Sequence, residues 1–254
     1  MKPLRTLRIP SREPGVDLEL LLLEPATPGP HPTIVFNHGS TGRGNNPALF
    51  SRRFAPAHIQ KYFTDKGWMV VFPQRRGRGK SGGQYAEGLR EDGHGYSCEL
   101  PLAMAGFERA VEDIDSVMDY LRSHAGVRTD RIAIGGASRG GILSIAYAGM
   151  RPTTLVGAIN FNGGWLGRAC PSYERINPMI FERGAGFPRP TLWLHGSYDQ
   201  YYRIAHCREN FQKYTLAGGC GTFVAAPGGH MLLFKPNLWQ HAADDYLAQI
   251  GPAV

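Results

Sequence analysis

Short apolar runs recur along this chain, and each stops at a turn residue before a helix-patterned segment begins. Thr33–Asn37, Trp68–Phe72, Arg131–Gly135, Leu155–Asn162, Thr191–His195 and Thr222–Ala226 are near-continuous rather than alternating in character, the pattern of strands buried on both faces. Between them the spacing predicts helices over Ala55–Lys66, Gly106–His124, Gly140–Met150, Ile204–Leu216 and Leu238–Ile250. In the clearest of these, Phe107, Val111, Ile114, Met118 and Leu121 recur at intervals of four and three and so share one helix face. Parallel strands cannot be joined by a tight turn; they need a crossover, usually helical. The alternation therefore points to an α/β chain with a mostly parallel sheet and helices on both faces. No helical stretch separates the strand Val16–Glu24 from Thr33–Asn37, so the sheet is expected to begin with an antiparallel hairpin or meander. A length of 254 residues fits one domain spanning 1–254.

Two stretches break this rhythm. Arg75–Ala105 is long, polar and Gly-rich, and 163–190 carries Trp165, Tyr173, Met179, Ile180 and Phe181 without an obvious period. Both follow strands, on the side where open α/β sheets bind ligands, and long irregular connections in a compact domain are usually functional. The second is expected to form a small cap, with Trp165, Tyr173 and Met179 offering substrate contacts.

Gly136-Ala137-Ser138-Arg139-Gly140 matches G-x-S-x-G, in which a strand turns abruptly into a helix and holds the serine with its oxygen exposed. Gly79-Lys80-Ser81-Gly82-Gly83 matches too, but no helical pattern follows it, whereas Ser138 has an apolar strand before it and a helix former run after it. A serine hydroxyl is a poor nucleophile and needs a base, and the base needs a group that fixes its tautomer. Asp199 lies just beyond the strand Thr191–His195, and His230 just beyond Thr222–Ala226. Each occupies a loop after a successive strand, on the sheet edge that carries Ser138, in the order serine, acid, histidine. Ser138 is thus the candidate nucleophile, His230 the base and Asp199 its orienting carboxylate. An oxyanion needs two donors: the N–H of Arg139, directly after the serine, and that of Ser40 in His38-Gly39-Ser40-Thr41-Gly42, the loop after Thr33–Asn37.

Together, Asn37-His38-Gly39, the loop Arg76-Gly77-Arg78-Gly79-Lys80-Ser81-Gly82-Gly83, the Ser138 turn, His195-Gly196-Ser197-Tyr198-Asp199 and Gly229-His230 resemble the α/β-hydrolase superfamily over nearly the full chain. The likeness is to its dienelactone-hydrolase-like and prolyl-oligopeptidase-like branch. It implies an α/β-hydrolase fold, with a mostly parallel eight-stranded sheet, and a serine hydrolase that cleaves a small-molecule carboxylic ester or lactone through an acyl-enzyme. Dienelactone hydrolases proper use cysteine where this chain has Ser138, which favours an esterase. A peptidase or amidase of the prolyl-oligopeptidase-like type, or an acyltransferase, would use the same three residues.

Other chemistries fit less well. Gly77-Arg78-Gly79-Lys80-Ser81-Gly82 resembles the end of a phosphate-binding loop, but that motif needs glycine where Gln74 stands and a helix after it. The nine histidines include no H-x-x-x-H pair, so no metal and no other cofactor is expected. The net charge of +7 comes from scattered arginines rather than a basic stripe with interleaved aromatics, so no nucleic acid is expected as partner. Arg139, Arg75, Arg76 and Arg168 border the expected site and are candidates to clamp a substrate carboxylate, against the commoner role of internal ion pairs. Apolar runs such as Leu20–Leu23 are far short of a membrane span, and the N-terminus lacks an apolar signal core. No membrane partner and a cytoplasmic location are expected, with Cys98, Cys170, Cys207 and Cys220 then free; two disulfides are the alternative in a secreted chain. A homo-oligomer is compatible with the composition.

Overall fold

The computed structural model describes residues 2–152 and 155–251. One eight-stranded sheet runs through the molecule in the order β1-β2-β4-β3-β5-β6-β7-β8. The strands are β1 (Arg5–Pro10), β2 (Asp17–Leu23), β3 (His31–Asn37), β4 (Met69–Gln74), β5 (Val127–Ala137), β6 (Leu155–Phe161), β7 (Thr191–Gly196) and β8 (Gly221–Ala226). β1 and β2 are antiparallel to their neighbours, and β4 through β8 run parallel, as the missing helix before Thr33 requires. Among the described residues, five α-helices fill the crossovers, α1 (Ala57–Asp65), α2 (Leu100–Ser123), α3 (Arg139–Met150), α4 (Tyr173–Glu182) and α5 (Ile204–Leu216), and α6 (Gln240–Gln249) follows the last strand.

Because successive side chains of a strand point to opposite faces, each continuous apolar run feeds two cores at once. Ile34, Phe36, Val70 and Phe72 face one way and pack with Ile59 and Phe63 of α1 and Ala243, Tyr246 and Leu247 of α6. Val35, Met69, Val71 and Ile134 face the other way, onto Phe107, Val111, Ile114 and Met118 of α2, Ile142 and Ile145 of α3, Ile176 and Ile180 of α4, and Tyr214 of α5. Both faces of the sheet are therefore covered, and only the strand ends and their loops remain for a site. Among the described residues, no helix is long and apolar enough to cross a membrane.

Two expectations are corrected here. The segment 163–190 is not chiefly a cap: its central part is α4, a crossover helix that packs on α3 and α5 like the other layer helices. The four cysteines are not all free either. Cys98 and Cys170 form a disulfide, while buried Cys207 and exposed Cys220 remain thiols.

Candidate active site

β5 ends at Ala137 and α3 begins at Arg139, so Ser138 alone makes the turn between them. It does so at φ 56° and ψ −122°, a conformation that L residues other than glycine adopt only under strain. The strain is held by hydrogen bonds: Ser138 N–H donates to the Phe161 carbonyl at 2.9 Å, and the Ser138 carbonyl accepts from Gly141 N–H at 2.9 Å. Gly140 is obligatory, because a Cβ there would collide with the backbone of Asn37 and His38.

Asp199 and His230 are carried by two loops that are themselves bonded: Ser197 N–H donates to Ala226 O and Tyr198 N–H to Gly228 O, each at 2.8 Å. The pairing brings His230 Nδ1 to 2.8 Å from Asp199 Oδ2. Oδ2 also accepts from Asn162 Nδ2 at 2.7 Å, and Oδ1 accepts from the N–H groups of Tyr201 at 2.7 Å and Tyr202 at 3.1 Å. Burial pushes the Asp199 carboxyl up, but the His230 contact and those two N–H groups outweigh it and hold it below its ordinary value. Asp199 therefore stays ionised in a nearly closed environment. Tyr202 connects this pair to the serine: its ring centroid lies 5.5 Å from that of His230, and its hydroxyl, beside the Ser138 side chain, donates to Gly164 O at 2.8 Å.

Gly39 packs directly on the serine; a Cβ on it would lie 2.9 Å from Ser138 Cβ and 3.6 Å from Oγ. The next N–H, that of Ser40, is thus at the site's wall, and Arg139, as the first residue of α3, contributes one of the unpaired N–H groups of the helix start. Ser81, from the competing motif, is committed elsewhere: its hydroxyl donates to Gln74 O and accepts from Glu19 N–H. It stitches the Gly-rich loop to β2.

The expected substrate contacts and most of the expected clamp do not survive. Trp165 is fully buried with its ring 5.5 Å from Phe107, and Tyr173 is buried with its ring 4.5 Å from His206 and its hydroxyl on Glu174. Met179 is exposed, but on the layer helix α4. These aromatics close the core because α4 is a layer helix; sequence pattern does not separate a core aromatic from a pocket one. Arg75 is spent on Glu87 and the His38 carbonyl, and Arg76 on Asp113, Glu13 and Glu112. The Arg139 guanidinium is buried between the rings of Tyr96 and Trp165 and donates to the Trp165 and Glu87 carbonyls. Arg168 alone of the four is exposed, with its backbone N–H on Tyr201 O.

Sequence reading missed Asn162, Tyr201 and Tyr202. A signal existed for the first: Asn162-Gly163-Gly164 directly follows a strand, and asparagine tolerates the left-handed φ of 47° found there. Large apolar side chains are exposed on both loops, Tyr198 and Tyr201 flanking Asp199 in sequence and Met231 and Phe234 just after His230. Among the described residues, no three His, Cys, Asp or Glu side chains are grouped to hold a metal ion.

Fold and site together define an α/β-hydrolase of the serine-nucleophile, prolyl-oligopeptidase-like kind. Residues 33–176, more than half of the chain, match the family described as serine aminopeptidase, S33, and the chain belongs to that family. It is 28% identical over 226 residues to a probable proline iminopeptidase of Leptolyngbya boryana, covering 85% of this chain and 58% of that protein. It is 30% identical over 141 residues to a probable carboxylesterase of Oryza sativa subsp. japonica, covering 53% of this chain and 50% of that one. The chain thus spans little more than half the length of these relatives. Among solved structures, an esterase of Pyrococcus furiosus superposes with a TM-score of 0.69 at 13% identity, covering 97% of this chain and 90% of that one. The acylaminoacyl peptidase of Pyrococcus horikoshii gives 0.69 at 17%, covering 99% and 42%. At such identities the likeness speaks for the fold alone.

Proposed function

We propose that this chain hydrolyses small carboxylic esters by acyl transfer through Ser138. The observation that carries the reading is the Asp199–His230 contact at 2.8 Å, its carboxylate buried and holding four hydrogen bonds, set on the same sheet edge as a serine held in a strained turn. Asp199 occupies Nδ1 of His230, which leaves Nε2 to accept a proton. In the first half-reaction Nε2 takes the Ser138 proton, Oγ bonds to the ester carbonyl carbon, and the carbonyl electrons move onto oxygen, where the Ser40 and Arg139 N–H groups hold them. The intermediate collapses, the carbon–oxygen bond to the alcohol breaks, and the imidazolium protonates the departing alkoxide. Water, deprotonated at the same nitrogen, then attacks the acyl carbon; the bond from that carbon to Oγ breaks, the imidazolium returns its proton to Ser138, and the acid leaves.

The family's name and the Leptolyngbya relative raise a second reading, release of an N-terminal residue from a peptide. That substrate carries an ammonium group, which calls for a carboxylate beside the scissile bond. The buried carboxylates of this edge are engaged, Asp199 with His230 and Glu87 with Arg75, which favours the ester. The Cys98–Cys170 disulfide likewise favours an oxidising compartment over a cytoplasmic one.

The test is p-nitrophenyl acetate hydrolysis beside proline p-nitroanilide hydrolysis, with fluorophosphonate labelling of the serine. Ser138→Ala should abolish labelling and lower kcat on the order of 10⁴-fold or more, since such residues act as a unit. Ser81→Ala should keep the activity, because its hydroxyl is a strut. Reversal of the two mutants would remove Ser138 from the mechanism, and faster turnover of the anilide would sink the ester reading.

A further inference from the structure

Beneath the loop His38–Thr41 lies a buried cluster with more positive than negative charge. Arg75, Arg78 and Arg139 are all at least nine-tenths buried, and among the described residues the carboxylate that touches this group is Glu87, which pairs with Arg75. Arg78 makes no salt bridge among the described residues; Glu87, already paired with Arg75, is the nearby acid that favours its charge. Its Nη1 donates to the Gly39 carbonyl at 3.2 Å, its guanidinium lies over the Tyr85 ring at 5.6 Å, and its Nε has no acceptor. A buried cation that shares one carboxylate with two other arginines is only partly compensated, so folding alone gives little reason to keep it there.

The histidine beside it fixes the geometry. His38 Nε2 accepts from the Arg75 N–H at 3.2 Å, and burial lowers its pKa well below the usual value, so the ring is neutral and carries its proton on Nδ1. Nδ1 lies 2.8 Å from the Gly39 carbonyl, to which it donates, with Arg75 Nη2 and Arg78 Nη1 at 3.1 and 3.2 Å from the same nitrogen. The Gly39 carbonyl is thus taken from inside by His38 and by Arg78. In a trans peptide the C=O and N–H point in opposite directions. With its oxygen drawn into the cluster, the Gly39–Ser40 peptide presents the Ser40 N–H outward, on the side where Gly39 touches Ser138, and no acceptor among the described residues takes that N–H.

We propose that Arg78 is a positioning residue for the oxyanion: it fixes and polarises the Gly39–Ser40 peptide, so that its unbalanced charge is felt at the Ser40 N–H. The inference rests on the ester-hydrolase reading, in which that N–H is an oxyanion donor. A cation at the oxygen of a peptide strengthens the donor at the other end, as in any hydrogen-bonded chain. The negative charge it meets exists only in the tetrahedral state, so the effect belongs to kcat rather than to substrate binding.

Arg78→Lys and Arg78→Gln separate charge from hydrogen bonding, since both side chains can donate to Gly39 but only lysine is charged. On p-nitrophenyl acetate, Arg78→Lys should keep kcat within about 3-fold, and Arg78→Gln should lose on the order of 10- to 100-fold, as for a weakened oxyanion donor, with KM within about 2-fold. Affinity for a trifluoromethyl ketone, which forms a tetrahedral adduct, should fall in step with kcat, while affinity for the product acid stays. Arg78→Met replaces Arg78→Gln if the latter does not fold. Equal kcat for the lysine and the neutral variants, or a loss confined to KM, overturns the proposal. Fluorophosphonate labelling of wild type, absent in Ser138→Ala, is the separate check on the underlying reading; its failure would be seen before any Arg78 variant was compared.

Discussion

Four hydrogen bonds converge on Asp199, two at each oxygen, and only the one from His230 concerns proton transfer. The others set which way the carboxylate faces. Asp199→Asn would place an amide against Nδ1, favour the wrong tautomer of His230, and lower kcat on the order of 10⁴-fold with little change in KM. Asn162→Ala removes one charge-assisted bond, worth about 1.5–3 kcal/mol. Since the carboxylate keeps its other three partners, kcat should fall roughly 10-fold or less. Measured together by steady-state kinetics, the two give an ordering: Asp199→Asn far below Asn162→Ala, both with near-native KM. If Asn162→Ala were as inactive as Asp199→Asn, the asparagine would be doing more than aim the acid.

At the level of elements, strands were legible because continuous apolar runs have few alternatives: Thr33–Asn37 became His31–Asn37, and Thr191–His195 became Thr191–Gly196. β1 was not legible, since as an exposed edge strand it carries Arg5, Arg8 and Pro10 and buries only Ile9. α4 was hidden by Asn177 and Pro178, poor residues for a helix interior, although Asn177 is there to hold the Trp165 and Leu166 N–H groups and the Leu166 carbonyl. Ser138, Asp199 and His230 could be read because strand ends fix their places; Tyr202 could not, because its contacts are made across loops. Nor could the link between Cys98, just before α2, and Cys170, just before α4. It ties together the segments that sandwich Arg139, which bear Tyr96 and Trp165. Replacing both cysteines with serine should destabilise the fold by about 2–4 kcal/mol, through the freedom regained by the unfolded chain. Thermal unfolding with and without dithiothreitol reads this: the reductant should lower the melting temperature of wild type to that of the double variant and leave the variant unchanged. Indifference of wild type to the reductant would show that the bond contributes nothing.

For the whole molecule, the same burial that covers both sheet faces encloses titratable rings in neutral form, and this sets how the fold responds to acid. His195, at the end of β7, is fully buried and stacked 5.1 Å from Phe223; burial lowers its pKa to about 3, and His230 and His206 add to the lowering against Asp199. His38 is lowered by burial in the same direction, then by Arg75 and Arg78. In the unfolded chain each returns to its ordinary value near 6.5. Between about pH 6.5 and about 3 the unfolded state therefore binds a proton that the folded state refuses at His195. Stability is fully present above pH 6.5 and falls as the pH drops, approaching roughly 1.4 kcal/mol per pH unit for one such group. His195→Gln keeps an amide near Asn160, the partner of the ring in the native fold, and cannot be protonated. Its melting temperature at pH 7.5 should be lower than wild type through lost packing on Phe223, yet the further drop from pH 7.5 to pH 4.5 should be smaller. Comparing the two drops, rather than the two melting temperatures, isolates the linkage from the packing loss. Equal drops in the two proteins would mean that His195 is already charged in the fold, and the acid sensitivity would have to come from elsewhere.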